Sequence, residues 1–192
     1  MSEGAAASSW LLEVRRRLES PLPKRLAPGE GRSAAVLVPL FVDAGELWTL
    51  LTRRTEELPT HKSQIAFPGG GAEDGEDAWK TALRESQEEV GLEPAKVLPL
   101  GQLDEYETPS GFRIVPCVGA VPADFEMRID PGEIAEAFRV PLTAFANPRL
   151  VEDRTIRIDG AERVIRVYHV GSRQIWGLTA RILQNLLERL GI

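Results

Sequence analysis

An α/β fold, with a mixed β-sheet flanked by helices on both faces, is the class this sequence predicts, and three observations predict it. Two pairs of β-prone runs, residues 33–42 with 46–54 and 155–158 with 163–170, are each joined by a glycine-containing turn, at Asp43-Ala44-Gly45 and at Asp159-Gly160. A segment of helical character, 77–90, stands between these hairpins. A second, 173–190, closes the chain with Leu178, Ile182, Leu186 and Leu190 at helical spacing.

Taken in order, residues 10–18 predict a short amphipathic helix, and a connection at 20–29 carries Pro21, Pro23 and Pro28. Residues 1–30 are therefore expected to pack as a decoration on a domain spanning 31–192. The first hairpin opens that domain. A polar loop at 55–75 follows and contains Phe67-Pro68-Gly69-Gly70-Gly71; its length points to function. The 77–90 helix stops at Gly91, which suits the left-handed position after a last turn, with Leu92 folding back; its cap is either Asp74 or Asp77. Strands are expected at 97–106 and 112–121, then a helix-and-strand passage at 132–140.

The 192 residues, 43% hydrophobic, can bury one substantial core. The 23 basic and 29 acidic residues leave a charge of −6, which argues against a general grip on nucleic acid. The single cysteine, Cys117, lies in an apolar run and is expected in the core, consistent with a reducing compartment. No segment has the roughly 20 apolar residues that cross a bilayer, so the expectation is a cytoplasmic protein with no membrane partner. No residue pattern specifies an oligomeric state.

On a helical wheel at about 100° per residue, Glu85, Glu88 and Glu89 share about 100° of one face, opposite Trp79, Leu83, Ser86 and Val90. Such like charges weaken a helix by a few tenths of a kcal/mol per pair in water, and more when partly buried. A divalent cation would turn that repulsion into binding, because carboxylates are the hard oxygen ligands that Mg²⁺ takes. Upstream, Gly69, Gly70 and Gly71 permit close backbone approach.

Gly70, Glu76, Arg84-Glu85, Glu88-Glu89 and Gly91-Leu92 stand at spacings that resemble the Nudix box at every polar and glycine position. The departure is Ser86, where the family usually has an aliphatic residue; its hydroxyl can bond back to the carbonyl four residues earlier. The resemblance implies a Nudix-type α/β/α sandwich and a pyrophosphohydrolase using Mg²⁺ or Mn²⁺. It implies Glu85, Glu88, Glu89 and the Gly69 carbonyl as metal ligands, with the division between metal ligation and water activation left open. It also implies that Glu76 holds Arg84, which orients the acidic cluster, and the spacing of Arg84 to Glu88 suits a direct pair. Glu105, Glu107 and Glu133 are candidates for a general base from a later loop. Glu133 is preferred because the family often has a glutamate before its final Pro-Leu element, here Pro141-Leu142.

The run Leu50-Leu51-Thr52-Arg53-Arg54-Thr55, continued by His61 to Gly70, resembles the signature of the coenzyme A pyrophosphatase branch. Pro59 stands where an arginine is usual, Ser63 where a glycine is usual, and Thr55 replaces a serine. The resemblance implies cleavage of coenzyme A, with its oxidised or acyl forms, to 4′-phosphopantetheine and adenosine 3′,5′-bisphosphate. Arg53, Arg54, Thr55, His61, Phe67 and Gly70 are the substrate-binding candidates, with Arg53, Arg54 and Lys62 expected to form a basic cluster for phosphates. Tyr106 or Phe112 is a candidate to stack on adenine, and His169 is read as structural. The alternatives are a Nudix enzyme acting on ADP-ribose or another nucleoside diphosphate derivative, a non-catalytic nucleotide-binding module, and a structural protein with an acidic helix.

Overall fold

The computed structural model describes residues 3–27, 31–55, 63–158 and 160–192. Helix α1 (Glu3–Glu19) is longer than the expected segment, and Val14 and Leu18 on its inner side are buried. Strands β1 (Arg32–Asp43) and β2 (Glu46–Arg54) form the first hairpin, in register from Leu40↔Thr49 to Asp43↔Glu46.

The segment expected as a loop holds two short strands, β3 (Ile65–Ala66) against β2 and β4 (Gly69–Gly71) against β1. Glycine has no β-propensity, so nothing local announces β4. Helix α2 (Ala78–Val90) follows. The strand expected at 97–106 is divided into β5 (Leu98–Gln102) and β6 (Tyr106–Glu107), and both pair with β7 (Phe112–Ala120).

The passage at 132–140 contains no helix: a turn leads into strand β8 (Ile134–Pro141), paired with β2, and only then comes the short helix α3 (Leu142–Ala146). In the last hairpin, β9 (Val151–Ile158) begins earlier than expected and pairs with β10 (Ala161–Val170); Asp159, half of the expected turn, lies outside the described residues. The final helix is also shorter than its periodicity suggests. Gly171, at φ 60°, turns the chain back so that β11 (Arg173–Ile175) pairs with β10, and α4 (Gly177–Leu190) starts only after it.

The main sheet runs β3-β2-β1-β7-β5, with β4, β6 and β8 joined to β1, β7 and β2, and it is mixed because β1 and β7 pair in parallel. A second, three-stranded sheet runs β11-β10-β9. Strand β1 is buried on both faces and so reads as a continuous apolar run. Its Ala35, Leu37 and Phe41 join Leu50, Cys117 and the α2 residues Ala82 and Val90 on one face. Its Val38 and Leu40 join Val14, Leu18 and the α4 residues Ile182, Leu183 and Leu186 on the other. Helices thus cover both faces, and Cys117 is fully buried, as its apolar context predicted. Among the described residues no helix is long and apolar enough to cross a membrane.

Candidate active site

The site forms where β4, the N-terminal approach to α2 and the inner edge of α2 meet. Asp77 is the helix cap, its carboxylate accepting the Lys80 N–H at 2.9 Å, which resolves the choice between Asp74 and Asp77. At the other end Gly91 adopts φ 73° and donates its N–H to the Gln87 carbonyl, while the Leu92 N–H reaches the Ser86 carbonyl at 3.3 Å. Ser86 is fully buried and its hydroxyl donates to the Ala82 carbonyl at 2.6 Å, so the polar side chain is satisfied inside its own helix.

The glycines are required by close packing. A β-carbon on Gly69 would sit 2.3 Å from the Ala35 carbonyl oxygen, and one on Gly70 would sit 2.5 Å from the Glu85 carboxylate. The glycine strand therefore lies directly against both β1 and the acidic face of α2.

Arg84 is the hub. Its Nε donates to Glu76 Oε1 at 2.9 Å and its Nη2 to Glu76 Oε2 at 3.1 Å. Nη2 also donates to the Gly71 carbonyl at 2.9 Å, and Nη1 reaches Glu85 at 2.9 Å and Glu88 at 3.0 Å. The Arg84 guanidinium, with the Glu73 N–H and the Thr81 hydroxyl, holds the Glu76 carboxyl down to about 2. Neither Thr81 nor the Gly71 carbonyl was legible as a site group, since both act through a contact made across the turn before α2.

Glu89 is the unusual member. It is 3% exposed, accepts the Gly69 N–H at 3.1 Å, and has the Arg54 guanidinium at 3.4 Å. Burial pushes its carboxyl up to about 8, although the Gly69 bond and Arg54 pull the other way; the charges of Glu85 and Glu133 add to the rise. Burial also raises Glu85, against the pull of Arg84. Glu88 is 58% exposed and so is free of packing constraint. Glu133 stands 3.8 Å from Arg54 Nη2, and its backbone carbonyl accepts the Thr55 N–H at 2.9 Å.

Other candidates fall elsewhere. Successive strand side chains point to opposite faces, so Arg54 reaches the carboxylates while Arg53 turns away to pair with Glu136 at 3.2 Å; they do not form one basic cluster. Phe67 is buried in the core on the α4 side rather than open to a substrate. Thr55 is buried, and its hydroxyl donates to the Gly132 carbonyl at 3.3 Å, tying the end of β2 to the turn before β8. Tyr106 is buried with its hydroxyl donating to the Arg181 carbonyl, and Phe112 lies under the Arg32 guanidinium. Glu105 accepts the Leu26 N–H and pairs with Arg25 and Arg113, which anchors the N-terminal segment, and Glu107 is exposed on β6. His61, Lys62 and Pro59 lie outside the described residues. His169 pairs with Glu152 in the second sheet, apart from the site.

Among the described residues no three carboxylate, imidazole or thiolate groups stand at ligand spacing, since Arg84 Nη1 lies between Glu85 and Glu88 and Glu89 turns to Gly69. The donor set nevertheless suits a hard divalent cation. Among the described residues, the five carboxylates of Glu76, Glu85, Glu88, Glu89 and Glu133 are met by two guanidiniums, those of Arg54 and Arg84.

The NUDIX domain model matches residues 31–158. The chain is 39% identical over 175 residues to a protein of Pectobacterium atrosepticum described as an uncharacterized Nudix hydrolase NudL, covering 88% of this chain and 89% of that one. A protein of the same description from Photorhabdus laumondii is 35% identical over 173 residues, covering 90% of this chain and 91% of that one. Among solved structures, a MutT/nudix family protein from Enterococcus faecalis superposes with a TM-score of 0.58 at 17% identity, covering 100% of this chain and 70% of that one. The domain match over residues 31–158 and the relatives at 35% and 39% identity place the chain in one family: it belongs to the Nudix hydrolases.

Proposed function

We propose that this Nudix hydrolase cleaves the diphosphate bond of coenzyme A, and of its oxidised or acylated forms, to 4′-phosphopantetheine and adenosine 3′,5′-bisphosphate with Mg²⁺ or Mn²⁺. The observation that carries the reading is Glu89, a carboxylate 3% exposed that is held beside a second raised carboxyl, Glu85. Perturbed carboxyls of this kind concentrate where chemistry is done. The branch signature from Leu50 to Gly70 supports the choice of substrate.

Glu85, Glu88, Glu89 and the Gly69 carbonyl are the groups that would hold the cation. A divalent ion bound there would polarise the phosphoryl oxygens and neutralise charge on the leaving group. Arg84, itself fixed by Glu76 and the Gly71 carbonyl, orients Glu85 and Glu88, so their positions are largely set before substrate arrives. Arg54 carries a buried Nε without a partner among the described residues, and its guanidinium suits a diphosphate oxygen. Glu133 is the candidate to take a proton from the attacking water. The water oxygen joins one phosphorus, the bond from that phosphorus to the bridging oxygen breaks, and two phosphate monoesters leave. His61 is assigned to the substrate loop on the signature alone. The single buried thiol suits a cytoplasmic setting.

The test is incubation with Mg²⁺ or Mn²⁺ and a panel of coenzyme A, ADP-ribose, reduced nicotinamide dinucleotide and sugar nucleotides, with products identified by mass. Preferential release of 4′-phosphopantetheine supports the proposal. Equal or better cleavage of ADP-ribose overturns the substrate and leaves the reaction class.

A further inference from the structure

The last four carbonyls of a helix have no partner inside it. In α2 two of them are taken by the segment between β7 and β8: the Arg128 N–H donates to the Val90 carbonyl at 3.0 Å and the Asp130 N–H to the Glu89 carbonyl at 3.1 Å. The segment is thereby seated on the same residue whose carboxylate lies in the cluster. From Asp130 the chain turns tightly. The Asp130 carboxylate accepts the Gly132 N–H at 2.8 Å, and its carbonyl accepts the Glu133 N–H at 3.2 Å and the Ile134 N–H at 2.8 Å. A side-chain bond of this kind imitates a backbone turn, and Pro131 within it fixes one more dihedral.

The far end of the turn is held by β2. The pairing of β2 with β8 slips by one residue between Arg53, which lies opposite Glu136, and Arg54, which lies opposite Ile134, so Ala135 is the extra residue. Without the slip Ile134 would stand opposite Thr55. With it the Thr55 N–H donates to the Glu133 carbonyl at 2.9 Å, and the Thr55 hydroxyl donates to the Gly132 carbonyl at 3.3 Å. Extra residues of this kind re-aim side chains beside active sites. The Glu133 side chain, 48% exposed, reaches to 3.8 Å from Arg54 Nη2, while Nη1 of the same guanidinium is 3.4 Å from Glu89. A carboxylate so little packed depends on its backbone for its place.

We propose that Asp130 and Thr55 are positioning residues for Glu133: they clamp the 130–133 turn between the end of α2 and the end of β2, so that Glu133 approaches the carboxylate cluster from one fixed direction. Resting on the reading of Glu133 as the group that takes the proton from water, the inference gives an exposed aspartate and a buried threonine an effect on kcat without contact to substrate.

The experiment measures kcat and KM for coenzyme A with Mg²⁺ in Asp130→Ala and Thr55→Val, each alone and combined with Glu133→Gln, and amide hydrogen exchange at Thr55 and Glu133 in the intact Asp130→Ala chain. Each substitution alone is expected to lower kcat by about tenfold or more with KM little changed, the scale of a misplaced catalytic group. In the Glu133→Gln background neither should lower it further, because residues acting through one group do not add. Asp130→Asn and Thr55→Ser, which keep the accepting oxygen and the donating hydroxyl, should recover most of the rate. Both amides should exchange about tenfold faster in Asp130→Ala, whatever substrate the enzyme prefers. Losses that persist in full in the Glu133→Gln background, or unchanged exchange, overturn the inference alone. Wild-type kcat in Glu133→Gln overturns the role of Glu133 and the inference with it. Absence of coenzyme A cleavage with accelerated exchange sinks the substrate alone, and the same rates are then read with ADP-ribose.

Discussion

Gly69 donates its backbone N–H to the buried carboxylate of Glu89 at 3.1 Å, and this bond, with that from Arg84 to the Gly71 carbonyl, ties the glycine strand to α2. The pair explains why the glycine run and the acidic helix occur together: the strand comes near enough to bond the carboxylate only because Gly69 and Gly70 have no side chains.

Substituting these glycines should therefore separate packing from chemistry. Gly70→Ala places a methyl 2.5 Å from the Glu85 carboxylate and should displace that side chain, reducing turnover. Gly69→Ala meets the β1 backbone at 2.3 Å, which cannot yield as a side chain can, and should destabilise the fold by about 1–3 kcal/mol or more. Thermal melts with activity assays check the pair; a Gly69→Ala protein as stable as wild type would contradict the packing.

Glu88→Gln should lower turnover by about a hundredfold or more. At 58% exposed, Glu88 contributes little packing, so stability should change by no more than about 0.5 kcal/mol. Wild-type rates in this variant would remove Glu88 from the mechanism.

Glu76→Gln should act through Arg84. Losing the two-point grip should cost about 10–100-fold in activity, the usual effect of residues that orient metal ligands. The stability consequence has a definite pH sign. Arg84 holds the Glu76 carboxyl down to about 2, below its ordinary value near 4.5, so its contribution is present above pH 4.5 and is lost as pH falls toward 2. The difference in melting temperature between wild type and Glu76→Gln should accordingly be largest near neutrality and close on acidification. A difference independent of pH would contradict the ion pair.

Cys117 should resist thiol reagents in the native protein and react on unfolding. Burial pushes its thiol up to about 12, so little thiolate exists at neutral pH. The sign is opposite to that of Glu76: above about pH 9 the unfolded chain ionises first, and stability should fall. Fast native labelling at pH 7 would show that the β7 core opens.

Local signals made much of this legible. The first hairpin was readable from Asp43-Ala44-Gly45, the end of α2 from Gly91, and the Arg84–Glu88 pair from its spacing, because each interaction spans only a few residues. Ser86 bonds to Ala82 as helical geometry dictates. What escaped depends on partners far along the chain. β11 resembled the first turn of α4 until its pairing with β10 claimed it, and 132–140 reads as part helix until β8 pairs with β2. Phe67 sits in a functional motif yet packs in the core, and the division of Arg53 from Arg54 follows from strand alternation, which the notion of a basic cluster overlooked. The parallel pairing of β1 with β7 has no local signature at all.

Mn²⁺ binding, followed by electron paramagnetic resonance in wild type and in Glu85→Gln, Glu88→Gln and Glu89→Gln proteins, tests most directly whether these carboxylates form a cation site. Saturable binding by the wild type, weakened at least about tenfold in each folded variant, is the predicted result. Equal Mn²⁺ affinity in all four proteins would contradict it.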